Sequence, residues 1–394
     1  MTDSSPQKFS PSVPVHCQAP PGLPIGPCHP WLAPLAGYSD LPFRQLCREL
    51  GASVACTEMV SAKGLVYGQG KKSNATNDLL ATFPPLEPPV AYRADVEPYA
   101  GPDASLGAVA PDSPLVVQLF GAERMFMAEA VRILRNRGYE WFDCNMGCSV
   151  PKIGKCGAGS AMLDDLDNAL DVAEGMIEAA GPGKVGFKLR LGRDIGEEVY
   201  VSLGKRLEAA GAGWLTLHPR YARQKFTGQA NWRAVVPLVA NVNIPVLVSG
   251  DLFCAADGVE SLKVSGAAGV MFARGAMQNP AVFGQFISLQ RQTQAAEGGD
   301  EGRFVGIQEL ERVIRRHAAL IRAFYPVRRN RQGLEAGLLK MRTFVPRYVK
   351  ELSGARKLRQ GITGCLTWDD MDRLLDEFFT CEDNLLPAKV EEGI

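Results

Sequence analysis

Residues 141–163 read WFDCNMGCSVPKIGKCGAGSAML. The aromatic and apolar lead-in has the length and composition of a buried strand, and it ends at Asp143, Cys144 and Asn145. Gly147 then turns the chain and delivers Cys148 into a loop of glycine, lysine and small residues. Structural cysteines usually sit inside apolar runs. This one sits where a strand stops and backbone polar groups become available, which suits a reactive thiol facing a cavity.

Working outward, the same pattern recurs from residue 31 to about residue 290. Candidate strands are 31–36, 54–60, 115–120, 141–146, 185–191, 214–219, 245–250 and 269–274. Each is short, nearly continuous in apolar residues and closed by polar residues or glycine, as expected for strands buried on both faces of a parallel sheet. Amphipathic stretches at 41–50, 123–137, 165–180, 197–210 and 254–265 alternate with them, several ending in glycine at 51, 138, 211 and 266. Eight such units in about 260 residues match an α/β (β/α)8 TIM barrel over 30–290. An open doubly wound sheet is the weaker reading, because no strand is followed by a G-x-G-x-x-G turn opening a helix. A barrel puts its site at the C-terminal ends of the strands, here Pro34, Glu58, Gln118, Asn145, Lys188, His218, Gly250, Asp251 and Arg274.

The flanks differ in character. Residues 1–29 are rich in proline and read as a disordered tail without the apolar centre of a secretory signal. Residues 82–114, again rich in proline, read as a surface insertion between the second and third units. After a polar linker, residues 304–381 read as a small helical domain, with helices through 307–325, 335–352 and 368–379, and residues 382–394 as a loose tail. Formal net charge is zero, yet residues 303–359 hold 15 Lys/Arg against 4 Asp/Glu, in a chain with 43 of each sign. A basic helical segment on an acidic body predicts a polyanionic partner, with a solvated charge bias as the plainer alternative. Ten cysteines without framework spacing predict free thiols in a reducing, cytoplasmic setting, and no apolar run approaches a membrane span. Four dispersed histidines and the spacing of Cys144, Cys148 and Cys156 fit no metal site.

The strand ends suggest their own chemistry. Ser249-Gly250-Asp251 and Ala273-Arg274 close strands seven and eight, where barrels build phosphate sites from backbone N–H groups. Arg274 adds a cation suited to the same anion. Lys188, inside an apolar strand, needs an anionic neighbour. A reduced flavin ring provides one, and Gln118 can pair with its pyrimidine edge. The structural alternative pairs Lys188 with Glu58.

At these residues the chain resembles the flavin-dependent tRNA-dihydrouridine synthases. The likeness spans about 30–380 and is carried by LAPLAGYSDLPFRQLCRELGA (32–52), TEM (57–59), VVQLFG (116–121), DCNMGC (143–148), GAGSAML (157–163), FKLRLG (187–192), LTLHPR (215–220), SGD (249–251) and ARG (273–275). It implies an FMN-binding barrel followed by a helical tRNA-binding domain. It also implies FMN contacts at Pro34, Leu35, Ala36, Gln118, Lys188, His218, Ser249, Gly250, Asp251, Ala273 and Arg274, with NADPH as reductant. Cys148 becomes the general acid, with Asn145, Glu58 and Arg220 on the substrate side. The chain departs from the family pattern at Ser149, where proline is usual, at the SGD and HPR turns, and at Arg342-Thr343-Phe344.

The implied reaction adds hydride to C6 of a uracil and a proton to C5. An ordinary thiol stays protonated at neutral pH, which suits a proton donor. Two other readings fit the same residues: a flavin-dependent dehydrogenase of free pyrimidines, and an RNA-binding flavoprotein without catalysis.

Overall fold

The computed structural model describes residues 18–69, 79–82, 109, 111–294, 306–325, 329 and 333–386. Nine parallel strands are β1 (Trp31–Leu32), β2 (Val54–Cys56), β3 (Val60–Ser61), β4 (Leu115–Phe120), β5 (Trp141–Met146), β6 (Val185–Arg190), β7 (Trp214–His218), β8 (Val246–Ser249) and β9 (Gly269–Phe272). Pairing runs β2-β1-β9-β8-β7-β6-β5-β4, and β2 also pairs with β4, so the sheet closes on itself. β3 continues the second stave beyond a break, pairing Val60 with Leu119. The result is the expected eight-stave barrel.

Strand alternation explains how one sequence serves two cores. On β5, Phe142, Cys144 and Met146 join the main core beneath the surrounding helices. Trp141 belongs to a second cluster in the barrel interior, with Trp31, Trp214, Val54, Val116, Leu247 and Met271. The indole rings of Trp31 and Trp141 lie 5.7 and 6.3 Å from that of Trp214. Gly186 leaves room for this packing, since a Cβ there would fall 2.0 Å from Trp214. Indoles therefore plug the lower barrel, and Asn145 and His218, four positions after Trp141 and Trp214, line its upper end.

One expectation about the flanks changes. Residues 18–29 are ordered, not part of a loose tail: Leu23 is 2% exposed in the interior cluster, and Trp31 Nε1 donates to the Pro24 carbonyl at 2.9 Å. Most of the 82–114 insertion lies outside the described residues, as do residues 1–17 and the end of the C-terminal tail. Where the insertion rejoins the barrel, Asp112 is buried between Arg44 and Arg48, at 2.7 and 2.8 Å.

The C-terminal unit contains the helices Gly306–Phe324, Leu338–Tyr348, Ala355–Gly364 and Trp368–Thr380. The third escaped the sequence reading, and the short helix Glu382–Leu385 falls in the expected tail. Thr367 caps Trp368–Thr380 through a capping box with Asp370. The unit docks on the barrel helix Leu41–Glu49: Phe344 stacks against Phe43 at 4.7 Å, and His317 lies 4.6 Å from Phe344. Arg316 pairs with Glu49, and Tyr325 donates to Asp40. Phe344, one of the departures noted above, is thus an interface core residue, fully buried.

Candidate active site

Above the indole layer an open cavity of about 260 Å³ occupies the C-terminal end of the barrel. Pro34, Leu35, Ala36, Gln118, Lys188, His218, Ser249, Gly250, Asp251, Ala273 and Arg274 all line it, together with Asn145 and Cys148. Residues from seven staves meet here because each polar residue follows a buried strand in the same register.

The β5 turn is held from several sides. Asn145 Oδ1 accepts from the backbone N–H of Cys148 at 2.9 Å and of Gly147 at 3.2 Å. The Cys148 carbonyl accepts from Ser160 N–H at 2.9 Å. Gly159, at φ 66°, permits that approach; a Cβ there would lie 2.6 Å from the Cys148 carbonyl. The small residues of GAGSAML therefore back the cysteine loop. Asn145 Nδ2 donates to Gln118 Oε1 at 2.8 Å and contacts the Met59 sulfur. Gln118 Nε2 in turn donates to Asp143 Oδ1 at 2.7 Å.

Charge at the cavity is unbalanced. Lys188, Arg190 and Arg274 line it, and the carboxylates nearest them are Asp251 at the rim and Asp143 beneath. Burial lowers the Lys188 ammonium and raises the Asp143 carboxyl, while each of the two opposes the other's shift. Burial, then the cations Arg190, Lys188, Arg220 and Arg274, push His218 well below its ordinary value, so its imidazole is neutral at pH 7. Asp251 accepts from Arg274 at 2.7 Å, from Arg220 at 2.9 Å and from the Ala230 N–H at 2.8 Å. This surplus of cations fits an anionic, hydrogen-bonding ligand.

Two expected substrate residues lie elsewhere. Arg220 is 1% exposed and spends its guanidinium on Asp251 and on the Thr227 and Gly228 carbonyls. Glu58 is buried and accepts from the Gly37 N–H rather than from Lys188. Neither lines the cavity. The sequence reading missed Arg190, which is two residues beyond Lys188 and thus on the same inward face. It also missed Met59, Phe226 and Phe253, which come from loops without periodicity. Arg274 lies between Phe226 and Phe253, at 4.6 and 4.9 Å from their ring centres.

Among the described residues, no cluster of three or more His, Cys, Asp or Glu could hold a metal ion. No described helix is long and apolar enough to cross a membrane. All nine described cysteines are free.

Comparison with known proteins agrees with this architecture. A probable tRNA-dihydrouridine synthase of Rhodobacter capsulatus is 36% identical over 249 residues, covering 63% of this chain and 68% of that protein. The tRNA-dihydrouridine synthase B of Pseudomonas syringae pv. tomato is 28% identical over 331 residues, covering 83% and 84%. A probable tRNA-dihydrouridine synthase 1 of Synechocystis is 29% identical over 346 residues, covering 88% and 84%. The family model described as dihydrouridine synthase matches residues 31–382, from β1 through the last long helix, and the chain belongs to that family.

Proposed function

We propose that the protein is a tRNA-dihydrouridine synthase, an oxidoreductase that saturates the C5=C6 bond of uridines in tRNA, with Cys148 as its general acid. FMN is the flavin of this reading and NADPH its reductant. A bound flavin supplies the hydride that C6 receives.

The chain's own residues do the rest. Pro34, Leu35, Ala36, Gln118, Lys188, His218, the Ser249–Asp251 turn and the Ala273–Arg274 turn would hold the cofactor. Lys188 and Arg274 supply the positive charge that an anionic ring and a phosphate require. Asn145 orients the base and the cysteine loop. Cys148 passes its thiol proton to C5 as negative charge builds there, and the resulting thiolate regains a proton from solvent. Arg220 and Glu58 support the walls rather than touch the base: Arg220 fixes Asp251, and Glu58 fixes the loop after β1. The uridine must leave its stack to reach the cavity, at a cost of a few kcal/mol. The basic helical unit contributes backbone affinity for that purpose.

The observation that carries the reading is the meeting of Cys148, Asn145 and a cation-rich rim around one cavity in a chain of this family. The test incubates the purified protein with NADPH and unmodified tRNA transcripts and measures dihydrouridine by nucleoside mass spectrometry. Wild type forms the product, and Cys148→Ala loses about 10²–10⁴-fold in rate while retaining its flavin. Native rates in Cys148→Ala would remove the acid role. Reduction of free uracil without RNA would favour the free-pyrimidine reading.

A further inference from the structure

Asp143 has no part in the chemistry above, yet it is buried at the floor of the cavity, 2% exposed. One carboxylate oxygen accepts from Gln118 Nε2 at 2.7 Å, and the other has no hydrogen-bond partner. Gln118 Oε1 accepts from Asn145 Nδ2 at 2.8 Å, and Asn145 Oδ1 accepts from the Cys148 N–H at 2.9 Å. Two amide side chains thus link a carboxylate to the backbone of the proposed acid.

We propose that Asp143 is a positioning residue: its carboxylate sets the direction of the Gln118 and Asn145 amides and thereby holds the Cys148 loop over the cavity. The reason is directional. A carboxylate only accepts, so Gln118 must turn its NH2 toward Asp143 and leave its carbonyl for Asn145. Asn145 must then offer its NH2 to Gln118 and its carbonyl to the Gly147 and Cys148 N–H groups. Reversing Gln118 would set its NH2 against that of Asn145 and its carbonyl against the carboxylate, and reversing Asn145 would set donor against donor at the cysteine turn. Gln118 and Asn145 can adopt both orientations in isolation, and the buried carboxylate selects one. Burial raises the Asp143 carboxyl, and the Gln118 hydrogen bond, then Lys188 on the adjacent strand β6, oppose that shift.

The test reads the thiol itself, so it does not depend on tRNA activity. Iodoacetamide labelling of Cys148 is followed by mass spectrometry in the purified protein as isolated. Buried Cys47, Cys56 and Cys144 report folding, because they stay unlabelled in an intact barrel. Asp143→Asn, which mimics the protonated acid, is expected to change the Cys148 labelling rate by at least about fivefold. It should also lower kcat on tRNA by about 10²-fold with little change in KM. The pair Asp143→Asn with Gln118→Glu moves the carboxylate to the middle of the relay, where it still accepts from Asn145. That exchange is expected to return labelling to within about threefold of wild type, a rescue that mere packing would not produce. Gln118→Leu, which cuts the relay while leaving Asp143 and Lys188 together, should repeat the labelling change and serves if Asp143→Asn does not fold. Wild-type labelling in both Asp143→Asn and Gln118→Leu overturns the proposal, as does an exchange variant no better than Asp143→Asn. A normal relay beside absent tRNA reduction would instead count against the function proposed above.

Discussion

Arg190 donates from Nε to the Gly147 carbonyl at 2.8 Å, and so ties the end of β6 to the turn that carries Cys148. The same guanidinium donates from Nη1 to the carbonyls of Tyr221 and Lys225, at 3.1 and 3.0 Å. Lys225 has a φ of 52° and a ψ of −96°, a sparsely populated backbone conformation that costs a residue with a side chain about 1–3 kcal/mol. One cation therefore spans the cysteine turn and the loop that presents Phe226 at the cavity.

Replacing Arg190 with lysine keeps the charge but not the planar fork that serves three carbonyls in two loops. We expect kcat on tRNA to fall about 10–10²-fold, since both walls of the site loosen. Thermal unfolding should change little compared with this loss, because the two loops contribute few core residues. Steady-state kinetics and a melting curve on the same preparation check both parts.

Gly250 makes a different demand. Its φ is 102°, and a Cβ there would lie 2.5 Å from His218 Cδ2. Gly250→Ala should push the imidazole out of position and add backbone strain, costing about 1–3 kcal/mol of stability. Cofactor retention, read as the flavin-to-protein absorbance ratio after purification, should fall with it. Gly37 provides the control: its φ is 83°, but a Cβ there meets nothing within 4 Å. Gly37→Ala should show the backbone cost alone and keep the cavity's ligand.

These two sites mark what was readable in the sequence. Lys188, His218 and Gly250 could be placed because Lys188 interrupts an apolar run and the other two close one, and a closed barrel brings strand ends together whatever their separation in the chain. Arg190 obeyed the same two-residue alternation but was not singled out. Asp112 with Arg44 was beyond reach, because 68 residues separate the pair and only the closed barrel buries them together. The helix Ala355–Gly364 was hidden by its own glycines. Gly361 weakens helix propensity, yet a Cβ there would fall 2.7 Å from Leu374 Cδ1, so packing requires what propensity disfavours.

That unread helix also bears on how RNA is held. On Gly306–Phe324, Arg312, Arg315 and Arg322 pair with Glu309, Glu311, Asp376 and Asp372, and Arg316 pairs with Glu49. Much of the basic excess seen in the sequence is thereby neutralised within the fold. Arg356, Lys357 and Arg359 on Ala355–Gly364 are exposed and have no ion-pair partner among the described residues. Changing these three to glutamine should flatten the log–log salt dependence of tRNA affinity by about 2–3. Changing Arg312 and Arg315 should leave that slope near its wild-type value. Filter binding across a salt series separates the two sets.

His317 couples the two units to pH. Its Nδ1 lies 2.9 Å from the Tyr348 hydroxyl, its ring packs on Phe43 and Phe344, and its Nε2 has no partner. Burial lowers its pKa to about 4, against an opposing pull from Asp40. In the unfolded chain the same group titrates near ~6.5. The folded state therefore excludes a proton that the unfolded state accepts. Its contribution is complete above about pH 6.5 and is lost as pH falls toward about 4, reaching about 3 kcal/mol at the lower end. His317→Gln cannot titrate, so its stability should fall less steeply than wild type across that window while starting lower at pH 7. Denaturant melts of both proteins between pH 7 and pH 4 would give converging curves. Parallel curves would mean that this imidazole is not held neutral at the junction of barrel and helical unit.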